Sequence, residues 1–221
     1  MGTYREISIV VGVLYILGFV AGIVSIAPAV DNSDYLAKSA VNSYQINTAA
    51  YFQFLMAIFY IGIAIILFPL LKTYNERLAI GFLSFRIIAA LFVFIGAIIL
   101  LLILKLSQEY VKMSPSDSSY FHVIGNLLKT ARDLVNHVGM IIILCIGGIM
   151  LYIIMIQSGL IPMWISIWGL LGSSIAIIAS VLVMTKILEV LTPTYMILNI
   201  PIALQEIVFA VWLIVKGFKQ V

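Results

Sequence analysis

The chain alternates long apolar runs with short polar clusters. Six runs stand out, at roughly 5–30, 48–71, 78–104, 119–156, 163–184 and 195–216. Each holds the roughly 20 mostly apolar residues that a helix needs to cross a hydrocarbon core. The clusters between them carry the chain's turn and charge chemistry: DNSDYLAKSAVNS, KTYNER, KLSQEYVKMSPSDSS, QSGLIPMW and TKILEVLTP. The Gly and Pro of QSGLIPMW predict a tight turn. The pattern therefore predicts an all-α, polytopic membrane protein, a bundle of six transmembrane helices forming one domain over residues 1–221.

The fourth run differs from the rest. Helix-compatible sequence continues from the cap-rich SPSDSS to about Gln157. At 1.5 Å per residue that is roughly 55 Å, against a core of about 30 Å. This helix is expected to extend outward from the bilayer. On a helical wheel His122, Asn126, Lys129, Asp133, Asn136 and His137 share one face, giving an amphipathic entry that runs into a span. Asp133 and His137 are four residues apart, the spacing of neighbours on an α-helix.

Composition supports the lipid reading. The chain of 221 residues is 64% hydrophobic and 10% charged. Soluble domains carry about 25% charged residues, and a soluble fold of this size cannot hide so much apolar surface. The APA at 27–29 resembles a cleavage site, but the apolar stretch before it, Ile7 to Ile26, is too long for a signal-peptide core; it reads as a retained first helix. A net charge of +3 without a basic stripe excludes nucleic acid as a partner. The lone Cys145 reads as a small hydrophobe.

Six spans put both termini on one side. Arg5, Lys72, Arg77, Lys216 and Lys219 fall on that side, and Lys38, Lys105, Lys112, Lys129 and Lys186 on the other. The numbers tie, but the first set hugs helix ends in short loops. The positive-inside rule then favours cytoplasmic termini in a cytoplasmic membrane.

Two charges lie deep within apolar runs, Arg86 and Glu206. A mid-bilayer charge costs at least about 2.5–3.5 kcal/mol on insertion scales, and two opposite charges that meet reduce that cost. Counted from their helix ends, both lie roughly 12–15 Å deep. Packing stripes point the same way: Tyr15, Gly18, Gly22 and Ser25 in the first run, Gln53, Ala57, Tyr60 and Ala64 in the second, and Ala79, Arg86, Ala90 and Ala97 in the third. Pro201 is expected to kink the last helix beside Asn199 and Glu206. The expected site is thus a polar cluster of Arg86, Asp133, His137 and Glu206, with Gln53, Asn136 and Asn199 around it.

Plainer roles stand beside this one. Arg86 and Glu206 can serve as a packing clamp, and Asp133 and His137 can hydrate the outer end of a long helix. A metal site of Asp133, His137 and Glu206 has suitable ligand types but no paired motif, so no metal and no cofactor is expected. Tyr44, Tyr51 and Trp164 suit interface anchors. No motif for nucleotide hydrolysis, acyl transfer or dinucleotide binding is present.

Three stretches carry a family likeness: RIIAALFVFIGAIIL, RDLVNHVGMIIILCIGGIMLYIIMIQSGLIPMWISIWGLLG and IPIALQEIVFAVWLIVKGF. With the opening YREISIVVGVLYILGFVAGI they resemble the bacterial membrane family known as domain of unknown function 4386. Arg86, Asp133 and Glu206 match positions of that family; His137 is offset from its Asp-Leu-His spacing. The resemblance implies the architecture and no activity. Three functions remain open: binding or translocation of a small solute or ion, intramembrane catalysis by Glu206 or His137, and an accessory role using the Gly18–Gly22 face to hold another membrane protein.

Overall fold

The computed structural model describes residues 2–112 and 118–219. All regular structure among them is helical: α1 Gly2–Val24, α2 Pro28–Asp31, α3 Tyr35–Val41, α4 Ser43–Leu71, α5 Glu76–Tyr110, α6 Ser118–Asp133, α7 Met140–Ser158, α8 Met163–Met184 and α9 Pro193–Val215. A π-helical turn, Leu134–Gly139, joins α6 to α7, so α6, the turn and α7 form one continuous span. Six helices are long and apolar enough to cross a membrane, and the protein is a multi-pass membrane protein.

Local chemistry sets the helix ends. Asn75 caps α5 by accepting the Leu78 N–H at 3.2 Å, and Thr192 caps α9 with Pro193 in its first turn. Gly159, at φ 65°, ends α7 in the left-handed conformation that glycine adopts without strain, and Pro162 leads into α8. This is the expected QSGLIPMW turn. The first span ends earlier than its apolar run suggests. Pro28 starts the short α2 instead of continuing α1, because proline suits the first turn of a helix and not its interior. The expected caps at Ser114–Asp117 lie outside the described residues.

The six spans form a closed ring. Going round it, α1 packs on α4, α4 on α5, α5 on α7, α7 on α8, α8 on α9, and α9 returns to α1. The closure is latched where the termini meet. Arg5 donates to the Leu213 and Ile214 carbonyls at 3.2 and 2.6 Å, satisfying the last turn of α9. The Phe218 N–H donates to Ser8 Oγ at 3.0 Å. At the other end of the bundle α3 and α6 lie against α5.

The two larger apolar clusters fill the ring at different levels. One, including Val11, Leu67, Phe82, Leu151, Tyr152 and Phe209, occupies the half towards the termini. The other, including Val30, Tyr35, Leu36, Ile46, Leu100 and Phe121, lies under α3 and α6. The polar side chains described below lie between them.

The glycines of α1 divide into two kinds. A methyl at Gly12 would stand 2.7 Å from the Ala210 carbonyl oxygen of α9, a backbone atom that cannot swing away. At Gly18 it would meet α4 side chains at 3.8 Å, an ordinary contact. Gly12→Ala is expected to destabilise by about 1–3 kcal/mol through overpacking, and Gly18→Ala by much less. Paired thermal unfolding in detergent checks this; equal losses at both positions would contradict the geometry. The Gly18–Gly22 face is turned towards Phe59, Tyr60 and Met56 of α4 within the bundle.

Candidate functional site

Arg86 points from α5 into the ring and is only 1% exposed. Its Nη2 donates to the Tyr15 hydroxyl at 2.9 Å. Its guanidinium carbon lies 5.3–5.6 Å from the rings of Tyr60, Tyr15 and Phe82. Aromatic faces stabilise a cation where water is excluded. Nη2 also stands 3.7 Å from Glu206 Oε1 on α9. That is too long for a direct hydrogen bond but short for opposite charges in a medium of low dielectric. Nε and Nη1 of Arg86 have no partner among the described residues.

Glu206 is placed differently. Its side chain is 26% exposed, and it lines two cavities on opposite sides. One, of about 210 Å³, lies between α1 and α4, with Gly18, Gly22, Met56 and Tyr60 in its wall. The other, of about 180 Å³, lies among α5, α7, α8 and α9, with Arg86, Cys145, Ser173 and Asn199 in its wall. Beside the pair, Tyr152 donates to Gln205 Oε1 at 2.6 Å, and Gln205 Nε2 donates to the Ile165 carbonyl at 3.2 Å. This fully buried link holds α7, α8 and α9 in register next to Glu206.

A third cavity, of about 250 Å³, lies further from the termini. Gln53, Asn136, His137, Asp31 and Arg132 contribute to its lining. It shares Gly22, Ile26 and Met56 with the α1–α4 cavity and Met140 with the cavity beside Cys145. The three are therefore adjacent compartments around one polar interior. Arg132 Nη1 donates to Asp31 Oδ1 at 3.0 Å, tying α6 to α2. His137 Nδ1 is 3.0 Å from the Tyr195 hydroxyl.

The expected site residues are thus only partly together. Arg86 and Glu206 face each other. Asn199 lines a cavity with them, though its own amide donates to the Tyr195 carbonyl at 2.9 Å. Gln53, Asn136 and His137 line the next compartment. Asp133 lies elsewhere, in a separate cavity of about 510 Å³ with Thr130, Lys186 and Glu189. The expected Asp133–His137 ladder depended on an unbroken α-helix, and the π turn breaks that register. The Met140 N–H reaches back five residues to the Val135 carbonyl. In an α-helix residues four apart point about 40° apart and those five apart about 140°. The wider π turn brings residues five apart closer to one face, and His137 shares a cavity with Arg132 and not with Asp133.

The turn is held from two sides. Ser180 of α8 donates to the His137 carbonyl at 2.9 Å, and the Asn136 side chain fills the notch left by Gly96 on α5. Among the described residues no three of His, Cys, Asp and Glu stand close enough to share a metal ion. Asp133, His137 and Glu206 do not form the metal cluster considered from their chemistry.

Sequence reasoning missed the Asp31–Arg132 pair, whose members are far apart in the chain and fall in a polar break and on a helix shoulder. It placed Tyr15 and Tyr60 on packing stripes without assigning them to Arg86. Their shared signal is a polar group in the middle of each stripe, at a depth comparable to that of Arg86. Outside the spans, Tyr35 donates to Asn126 Oδ1 at 3.0 Å and carries Lys129 over its ring at 4.5 Å. Burial holds its phenol above the ordinary tyrosine range, keeping it a donor.

No curated protein and no solved structure matches this chain. A domain of unknown function, DUF4386, matches residues 10–217, nearly the whole ring of spans. The chain belongs to the DUF4386 family.

Proposed function

We propose that this membrane protein binds a small solute or ion inside its ring of helices, with Glu206 as the contacting group and Arg86 as a fixed countercharge. The observation that carries the reading is the unequal surroundings of the two charges. Arg86 is ringed by Tyr15, Tyr60 and Phe82 and is 1% exposed, whereas Glu206 is 26% exposed, accepts no hydrogen bond from the described residues and opens onto two cavities. A small cation or a protonated amine can compete with Arg86 for that carboxylate, and so can a proton.

The approach is one-sided in this reading. The apolar cluster of Phe82, Leu151 and Phe209 closes the ring towards the termini, while the compartments continue from Glu206 towards Arg132 and Asp31. Translocation would need that cluster to loosen. With the termini in the cytoplasm, as the loop charges suggest, the ligand enters from the outer half of the membrane.

The test uses the membrane-permeant reagent dicyclohexylcarbodiimide, which converts protonated carboxyls in apolar surroundings to stable acylureas. Glu206 is expected to be labelled in the full-length protein in liposomes, as read by peptide mass spectrometry. Sodium, potassium or methylammonium is expected to slow labelling at Glu206 and not at Glu189. Labelling that bypasses Glu206, or that none of these cations slows, overturns the proposal.

A further inference from the structure

The compartment at the π turn has the makings of a second binding site, distinct from Glu206. Gln53 is 4% exposed, and its Oε1 has no hydrogen-bond partner among the described residues. Arg132 is 7% exposed, and its Nε is likewise unpartnered although Nη1 reaches Asp31. Buried polar atoms are nearly always satisfied, and each exception asks for an explanation. The two residues that carry these atoms line one cavity, beside a π turn that presents Asn136 and His137 to the same space. Insertions of this kind recur at functional sites, because a regular α-helix would otherwise replace them.

Gln53 is ten residues into α4, about 15 Å from that end of the helix. An unpaired amide carbonyl at this depth has little bulk water to satisfy it. The cavity of about 250 Å³ is below the roughly 300–1,000 Å³ of pockets for drug-sized molecules. Its occupant is therefore small.

The charges of the wall narrow the class. Asp31 and Arg132 sum to zero. A net anion entering beside Arg132 would also face Asp31, and a net cation the reverse, leaving an uncompensated charge in either case. A molecule carrying both an anionic acceptor and an N–H donor avoids this. Its carboxylate pairs with the Arg132 guanidinium, and its ammonium donates to the free lone pairs of Asp31 and, with the side-chain amide turned, to Gln53 Oε1. We infer that the π-turn cavity, walled by Gln53, Asp31, Arg132, Asn136 and His137, is a binding site for a small zwitterion of the amino-acid type. The site does not depend on ligand binding at Glu206.

Gln53→Leu separates this from a structural role. Leucine is close in size and removes the orphan carbonyl, so the ligand-free protein is expected to unfold at a higher temperature than the wild type. The same change is expected to weaken zwitterion binding about tenfold or more. The assay is calorimetric titration of the detergent-solubilised full chain with the neutral amino acids, with glycine betaine, which lacks N–H donors, and with acetate and methylammonium as half-molecules. At least one amino acid is expected to bind, betaine and both half-molecules more weakly, and Glu206→Gln to leave that binding unchanged. The inference is overturned if no amino acid binds, if acetate or methylammonium binds as well as the intact zwitterion, or if Gln53→Leu binds like the wild type. Binding lost in Glu206→Gln but kept in Gln53→Leu would move the site to Glu206 and equally overturn it.

Discussion

Arg86→Met is expected to cost about 3–5 kcal/mol of stability, and adding Glu206→Gln to the same chain is expected to restore most of it. Little of the loss comes from attraction across 3.7 Å. It comes from what stays behind: a carboxylate facing an apolar cluster with no countercharge, and a Tyr15 hydroxyl deprived of its donor. Three aromatic rings also lose the cation they surround. Methionine keeps much of the volume, so the cavity contribution is small. The double variant replaces two charges by two neutral groups, a change that is often neutral in buried sites. Arg86→Lys is expected to fall between the wild type and Arg86→Met, since an ammonium keeps the charge but loses the planar guanidinium that packs against Tyr15, Tyr60 and Phe82. Thermal unfolding in a mild detergent measures all four proteins. A double variant no more stable than Arg86→Met would show that Glu206 does not need Arg86.

Asp31→Ala is expected to have the second largest effect, about 3 kcal/mol, the low end of the range for breaking an ion pair because only its Arg132 member is buried. Arg132 would remain buried with its strongest acceptor gone. The damage should be local. Asp31 ends α2, and its bond to Arg132 crosses to α6, so residues 28–41 and 118–133 are expected to exchange backbone hydrogen faster while α8 and α9 remain protected. Arg132→Met in the Asp31→Ala background should recover protection. If Arg132 instead reaches headgroups as a solvated side chain, Asp31→Ala will leave exchange unchanged.

These two variants also mark what sequence reasoning can and cannot reach. The expectation that Arg86 and Glu206 meet rested on a charge within an apolar run having few options, and on depth along a helix converting to distance by a constant rise; the two side chains stand 3.7 Å apart. Asp31 offered no such signal. It lies in a polar break where an acid is unremarkable, and its pairing with the buried Arg132 exists only because the tertiary fold brings α2 beside α6. The fourth span shows the same limit. Its length and amphipathic start were legible, but the faces of Asp133 and His137 were assigned with an α-helical period that Leu134–Gly139 does not keep.

The amino-acid sequence by itself determined that this chain is a six-span helical membrane protein and which helix ends its turns define. Those properties follow from local quantities: run length, capping chemistry and the cost of charge in lipid. Only the tertiary structure decided that α9 closes the ring on α1, that Tyr15, Tyr60 and Phe82 enclose Arg86, and that Glu206 is the accessible member of its pair. It also decided that a π turn, pinned by Ser180 and by the notch at Gly96, turns His137 towards Arg132 and away from Asp133. The physical reason is that a helix has no preferred rotation until its neighbours supply contacts. Its register can slip by one residue where partners on other spans compensate the backbone bond it gives up.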